Sequence, residues 1–305
     1  MDGVLVVDKP AGPTSHDIVD RARRVLHTRR VGHTGTLDPF ATGVLPLCLG
    51  RGTRLARFLT AGEKAYHARL RLGFATTTDD LTGEPLGPPR AVEVGAAELE
   101  SALGGLVGDL DQVPPAFSAR QVGGQRLYEL ARRGEAVARA ASPVSVYALE
   151  LVSRGEDTLE LEVRCSAGTY VRALARDLGE RLGCGAHLVS LRRTRSGGFG
   201  LEQAVDGDSF AGAAERVIPL SSLLLDWPAV TVGPAGSKIV RHGRELQPAD
   251  VLSGFPTSAV ERVRVLDERG ELVALAVARG LDPSSSELPR RPALHPDVVL
   301  IGPGP

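Results

Sequence analysis

A carboxylate set into an apolar stretch is the first residue in this chain that could do chemistry. In GHTGTLDPFATGVLPLCLG, Gly32 to Gly50, Asp38 is the one acid in nineteen residues, and His33 stands five positions upstream. An Asp before Pro is a common turn former, because its oxygens accept backbone N–H groups. The glycine-bearing turn before Asp38 and the apolar run after it point to a second use. A carboxylate against an apolar wall needs a cation or hydrogen bonds to stay ionised. Held in that way, it can serve as a nucleophile or a base. Arg172, in CSAGTYVRALARDLGE, is the candidate partner: the turn Ser166–Thr169 opens a helix, and Arg172 falls in its first turns, able to point back to a cleft. The competing reading is a solvated surface arginine. Tyr66, in EKAYHARLRLG, faces the apolar side of its segment, where core packing is the plainer role.

These residues need elements to hold them. GVLVVDKP reads as a short buried strand. TSHDIVDRARRVLHT reads as a helix capped by Thr14 or Ser15, with Ile18, Val19, Ala22 and Leu26 on one face. AYHARLRLGF alternates, with Tyr66, Ala68, Leu70 and Leu72 on one side and His67, Arg69 and Arg71 on the other, which predicts a strand with a basic outer face. TTTDDLTGEPLGPP reads as a loop, AAELESALGGL as a helix, and Leu127 to Arg133 as another. VSVYALELVSRGEDTLELEVRCS predicts a hairpin turning at Arg154–Asp157. TYVRALARDLGERLG predicts a helix ended by Gly183, and GAHLVSLRRTRSGGFGL a strand.

A second unit is expected from about Asp226. AVTV, KIVRHGREL, VRVLDERGELVALAVARG and DVVLIG read as short strands of a small β-barrel-like module, with LDPSSSELPRRPALHP as a loop. The fold class is therefore α+β: a mixed or antiparallel sheet with helices over 1–225, then a small β-rich domain over 226–305.

The formal net charge is −1, but from Met1 to Leu72 there are 12 Lys and Arg against 6 Asp and Glu. That basic front suits an anionic partner such as nucleic acid, although a solvated charged surface gives the same count. Cys48, Cys165 and Cys184 show no CxxC spacing, which argues against a disulfide framework or a zinc site and for a reducing compartment. The N-terminus is too charged for a signal peptide, and no run nears the ~20 apolar residues that span a bilayer. These points predict a cytoplasmic protein without membrane or metal.

Five blocks in order carry a resemblance: GVLVVDKPAGPTSHDIV, RRVGHTGTLDPFATGVLPLCLGRGTRL, EKAYHARLRLG, VPPAFSARQVGGQRLYELARRGE and CSAGTYVRALARDLGERLGCGAHLVSLRRTRSGGF. Together they resemble the bacterial tRNA pseudouridine synthases that act on uridine 55 of the T-loop, over about the first 220 residues. The later unit is similar in placement to the family's PUA-type RNA-binding domain.

The resemblance implies a catalytic set of Asp38, Tyr66 and Arg172, with the arginine paired to the aspartate and the tyrosine against the target base. It also implies substrate contacts from Lys9, Tyr170 and Leu191 around a uracil pocket, with Pro10 nearby. His33 would enter the RNA stack when the base flips. Asp38 would attack C6 of the base or C1′ of the ribose, or stabilise a glycosyl cation. No cofactor is implied, and the partner is tRNA, held by the T-arm and the acceptor arm by a monomeric enzyme. Gln121 and Ser142 depart from the lysine and arginine usual in the family. Arg21, Arg23, Arg24, Arg29, Arg30, Arg51, Arg54, Arg192 and Arg193 are expected on phosphates. Lys238, Arg241, His242 and Arg244 are expected on the acceptor arm. Three alternatives stay open: a synthase for another RNA site, an RNA-binding or RNA-folding protein, and a carboxylate hydrolase using Asp79 or Asp80 as second acid.

Overall fold

The apolar run after Asp38 becomes a central strand. The computed structural model describes residues 1–118, 121–122, 125–126, 133, 139–258, 260–280 and 292–301. Its strands are β1 (Gly3–Lys9), β2 (Val31–His33), β3 (Thr42–Leu49), β4 (Lys64–Leu72), β5 (Gly108–Gln112), β6 (Gln121–Val122), β7 (Gln125–Arg126), β8 (Ser142–Arg154), β9 (Thr158–Cys165), β10 (Ala186–Ser196), β11 (Phe199–Gly200), β12 (Val205–Asp206), β13 (Ala229–Val232), β14 (Arg262–Asp267), β15 (Leu272–Arg279) and β16 (Ala293–Val299). Helices are α1 (Ser15–Val25), α2 (Ala56–Thr60), α3 (Ala96–Gly104), α4 (Val171–Arg181) and α5 (Pro234–Arg241). Ten strands form one mixed sheet in the order β12-β1-β3-β10-β4-β9-β8-β5, with β2 also on β3 and β11 also on β10.

Local sequence accounts for the elements that matter. Thr14 caps α1 through a reciprocal capping box with Asp17, and Ile18, Val19 and Ala22 are its buried face. Strand β4 alternates as its sequence predicts, with Tyr66, Ala68, Leu70 and Leu72 buried and Arg69 and Arg71 exposed. The hairpin β8–β9 forms as expected. Helices α1, α3 and α4 bury apolar residues in one cluster with Leu5, Val7, Leu45 and Leu47 of β1 and β3. Gly43 is required where β10 joins β3: its φ is +102°, and an added Cβ would fall onto the Arg193 carbonyl oxygen.

The second unit differs from its expectation. Strands β13-β14-β15-β16 form an open four-stranded sheet, and no closed barrel occurs among the described residues. KIVRHGREL is not a strand, because Lys238–Arg241 completes α5. Pro234 at its first turn presets helical φ, and Gly236 and Val240, four apart, form its buried face. The helix expected at Leu127–Arg133 lies outside the described residues, apart from Arg133, as does 281–291 of the expected loop. The last residues of that expected loop open β16.

The two units share a core. Val4, Val6, Val44 and Cys48, on the opposite faces of β1 and β3, pack with Leu272, Leu275, Val298 and Leu300. Phe58 meets Trp227 edge to face at 5.4 Å between ring centres. Around this join Arg51 donates to Leu300 O at 2.6 Å, Arg54 donates to Val299 O, and Arg57 pairs with Asp297 at 2.7 Å.

Candidate active site

Asp38 lies on the loop between β2 and β3, and that loop is tied from several sides. Ser15 donates from Oγ to Leu37 O at 3.0 Å and accepts from Leu37 N at 2.8 Å. Lys9 is fully buried, and its ammonium donates to Pro10 O, Pro39 O and Ala41 O at 2.9, 3.0 and 2.7 Å. The equally buried Arg193 donates to Gly35 O at 3.1 Å and to Val44 O at 2.7 Å. Two buried cations thus hold the backbone on either side of Asp38.

Arg172, in the first turn of α4, meets the carboxylate directly. Nη2 donates to Asp38 Oδ1 at 3.1 Å, and Nε lies 2.9 Å from Oδ2. The same guanidinium reaches Asp80 Oδ2 at 3.4 Å, Thr78 O at 3.0 Å and Phe117 O at 2.9 Å. Arg172 is therefore shared by two carboxylates and two carbonyls. Asp80 Oδ1 accepts from Thr78 Oγ1, Thr82 Oγ1 and Thr82 N at 2.7, 2.6 and 2.9 Å.

A third of the Asp38 side chain is open to solvent, although protein surrounds most of the carboxylate. Burial raises its pKa above the ordinary value, Arg172 opposes that rise, and Asp80 adds to it. The ion pair with Arg172, one hydrogen bond from Nη2 with Nε close to the other oxygen, favours the ionised form.

A cavity of about 260 Å³ opens beside this pair. Its wall brings together Asp38, Arg172, Tyr66, Tyr170 and Leu191, with Lys64 behind. That volume is below the roughly 300–1,000 Å³ of ordinary small-molecule sites, and its aromatic and aliphatic walls suit one planar base. The Tyr66 hydroxyl lies beside the Arg193 guanidinium; burial raises the tyrosine's pKa and Arg193 opposes the rise, so the resting group is a phenol. Gln112 fixes Tyr170 by donating to its carbonyl at 3.1 Å and accepting from its N–H at 2.8 Å.

Two expected substrate residues stand elsewhere. Lys9 is under the Asp38 loop with its three donors engaged, so it supports the site from below. His33 is half-buried on β2, outside the cavity wall, with Nδ1 accepting from Gly35 N at 3.3 Å. Burial, then the nearby Arg193 and His16, lower its pKa and keep the ring neutral. Sequence reasoning missed Lys64 and Gln112 as parts of the site, expected Arg193 on phosphate, and gave Asp80 only as a hydrolase's second acid. The threonine-dense TTTDD loop was the available signal for Asp80. A hydrolase needs a second acid free to act, and Asp80 is tied by three donors while Asp79 pairs with Arg176 at 3.2 Å.

The arginines expected on phosphates divide as well. Arg192 pairs with Asp8 at 2.6 Å, Arg21 donates to Gly207 O at 2.5 Å, and Arg23 to Asp20 at 2.8 Å. With Arg51, Arg54 and Arg193 engaged as above, Arg24, Arg29 and Arg30 remain exposed without an ion pair among the described residues. His/Cys/Asp/Glu clusters of a kind that could hold a metal are absent among the described residues.

The whole fold has solved counterparts. A chain in a Cbf5-Nop10-Gar1 complex is 28% identical with a TM-score of 0.71, covering 98% of this chain and 85% of that one. A chain in an H/ACA RNP bound to a substrate RNA containing 2′-deoxyuridine is 26% identical with a TM-score of 0.70, with the same coverage. Fold and cavity, taken with the family matches that follow, define a pseudouridine synthase. The profile of the TruB family pseudouridylate synthase N-terminal domain matches residues 23–171, and that of the tRNA pseudouridylate synthase B C-terminal domain matches 172–225. A tRNA pseudouridine synthase B of Solibacter usitatus (strain Ellin6076) is 44% identical, covering 90% of this chain and 95% of its own length. One of Mycobacterium sp. (strain KMS) is 46% identical, covering 84% and 88%. The chain belongs to the TruB family.

Proposed function

We propose that this enzyme isomerises uridine 55 in the T-loop of tRNA to pseudouridine, with Asp38 as the acting carboxylate. The observation that carries the reading is the Asp38–Arg172 contact on the wall of a cavity sized for one base. The target is hidden in a folded loop, so it must leave the stack, at a cost of a few kcal/mol. The neutral ring of His33, bonded to Gly35 of the cavity wall, is suited to fill the vacated place. Leu191 and Tyr66 take the two sides of the base, and Tyr170 bounds the rim. In the isomerisation the N1–C1′ bond breaks, the C5–C1′ bond forms, C5 loses its proton and N1 gains one, so no co-reactant is consumed. Asp38 attacks C6 or C1′, or steadies the glycosyl cation. Arg172 keeps it charged and aimed, and Tyr66 supports the base while C5 is deprotonated.

Arg24, Arg29 and Arg30 take the RNA backbone, while Lys238, Arg241 and Arg244, exposed at the end of α5 and just past it, take the acceptor arm. In this reading 1–225 does the chemistry, 226–305 adds affinity, and the enzyme works as a monomer. No helix among the described residues is long and apolar enough to cross a membrane. Three buried free thiols suit the reducing cytoplasm. The test is to incubate the protein with an unmodified tRNA transcript and map pseudouridine along it. Conversion confined to position 55 supports the reading, and conversion at another uridine overturns it.

A further inference from the structure

Helix α4 sends a second arginine one turn beyond Arg172 into the neighbouring carboxylate of the same loop. Arg176 Nη1 lies 3.2 Å from Asp79 Oδ2, and both side chains are largely buried. Its Nε and Nη2 reach Asp177 Oδ1 at 2.9 and 2.8 Å, and Nη2 donates to Val113 O at 3.0 Å. The two arginines therefore form two rungs. The inner rung, Arg172, holds Asp80 and the Phe117 carbonyl. The outer rung, Arg176, holds Asp79 and the Val113 carbonyl of the same two segments.

The outer rung sits where the loop is least comfortable. Asp79 has a φ of +62°, a left-handed conformation that residues other than glycine adopt at a cost. Its carbonyl accepts from Leu188 N at 3.1 Å, and Leu81 N returns to Leu188 O at 2.8 Å, so the residues around Asp80 hang on β10 at this bend. A relaxed φ at Asp79 would rotate Asp80, the next residue, away from Arg172.

We infer that the Asp79–Arg176 pair is a positioning device, which locks the loop bend so that Asp80 and Arg172 hold Asp38 in its working geometry. Neither residue touches the cavity. The inference rests on the proposed reaction for its kinetic effect. Misplacement by about an ångström slows an oriented reaction up to about a hundredfold without a matching loss of binding.

The test uses the full chain on unmodified tRNA under single-turnover conditions, with the variants Asp79→Asn, Arg176→Ala, Arg176→Lys, Glu180→Gln and the Asp79→Asn/Arg176→Ala pair. Each of the first two should lower the rate at saturating enzyme roughly tenfold, with tRNA affinity within about twofold. The double variant should be no slower than the worse single one, because both remove one contact. Arg176→Lys should recover part of the rate, and Glu180→Gln, which neutralises an exposed neighbour of Arg176, should keep the wild-type rate. Hydrogen exchange is the arm independent of activity. In Arg176→Ala, the amides of Leu81 and Thr82 should exchange faster while those of Leu174 and Leu178 in α4 keep their protection. Wild-type rates in both single variants, losses that multiply in the double, or unchanged protection at Leu81 and Thr82 would overturn the inference. A wild-type protein that leaves uridine 55 unconverted would instead remove the proposed reaction, and the exchange arm would still decide whether the pair locks the loop.

Discussion

Strands β1 and β3 separate two regions that use arginine in opposite ways. At the cavity, Arg172 and Arg193 are buried, their donors fixed on carboxylates and loop carbonyls around one side chain left partly open, Asp38. At the join, Arg51, Arg54 and Arg57 ring an apolar cluster and bind the ends of β16 and the residue after it. One region arranges charge to act on a ligand, and the other arranges charge to seal two units together. Only the join arginines belong to the basic front, Met1 to Leu72; Arg172 and Arg193 come from later in the chain. The charge count therefore announces anion binding only where an arginine is left without a protein partner.

The largest expected effect breaks the cavity side of this contrast. Arg172→Ala should lower single-turnover conversion by about 10²–10³-fold, because Asp38 loses its partner and Asp80 its counter-ion together. Arg172→Lys should recover little of it, since lysine cannot bridge both carboxylates and both carbonyls. Conversion within fivefold of wild type in Arg172→Ala would remove the pairing from the account.

The join should respond in stability alone. Leu275 is fully buried in the shared cluster, and Leu275→Ala should cost about 3 kcal/mol in urea unfolding. Conversion at saturating enzyme should stay near wild type. For the same reason a chain ending near Leu225 would expose Val4, Val6 and Val44, so affinity of the second unit for RNA is better read from surface variants such as Arg241→Ala/Arg244→Ala.

Salt dependence sharpens the comparison next. Replacing Arg24, Arg29 and Arg30 together by alanine should reduce the slope of log affinity against log salt by about 2–3, at roughly 0.7–0.9 per phosphate contact. Arg54→Ala should leave the slope unchanged. Equal slopes for the triple variant and the wild type would place the RNA elsewhere.

The smallest effect concerns the cations under the cavity. Burial pushes Lys9 and Lys64 down to about 8 from an ordinary 10.5. Above about 8 the folded chain has released protons that the unfolded chain still holds, so stability rises with pH. Buried Cys48 and Cys165, pushed up to about 12 and about 11, oppose this once pH passes their ordinary value of 9. The gain should therefore show between pH 8 and 9, at roughly 1 kcal/mol per lysine, and fade above. Lys64→Met should remove its share, and a flat wild-type profile over that interval would contradict the burial argument.

Much of the first unit was legible in the sequence because its period and caps are strong. Thr14 and Asp17 mark α1, and β4 alternates without interruption. Asp38, Tyr66, Arg172, Tyr170 and Leu191 were legible because ordered motifs name them, and the fold gathers all five. Asp80 was not, since a TTTDD turn looks the same whether its acid caps the loop or also meets an arginine ninety-two residues later. Helix α5 was misread because adjacent Ile239 and Val240 mimic a strand, while its buried contact at Gly236 carries no side chain to register. Arg51, Arg54 and Arg193 could not be separated from Arg24 by type, because only tertiary contacts decide which arginine is free.

The most direct measurement is single-turnover conversion of uridine 55 in an unmodified tRNA transcript by the wild type and by Asp38→Asn at matched, saturating protein. Complete conversion by the wild type and none by Asp38→Asn, with tRNA affinity unchanged within a few fold, is the predicted result. Conversion by Asp38→Asn at a rate within tenfold of wild type would contradict the assignment of the chemistry to this carboxylate.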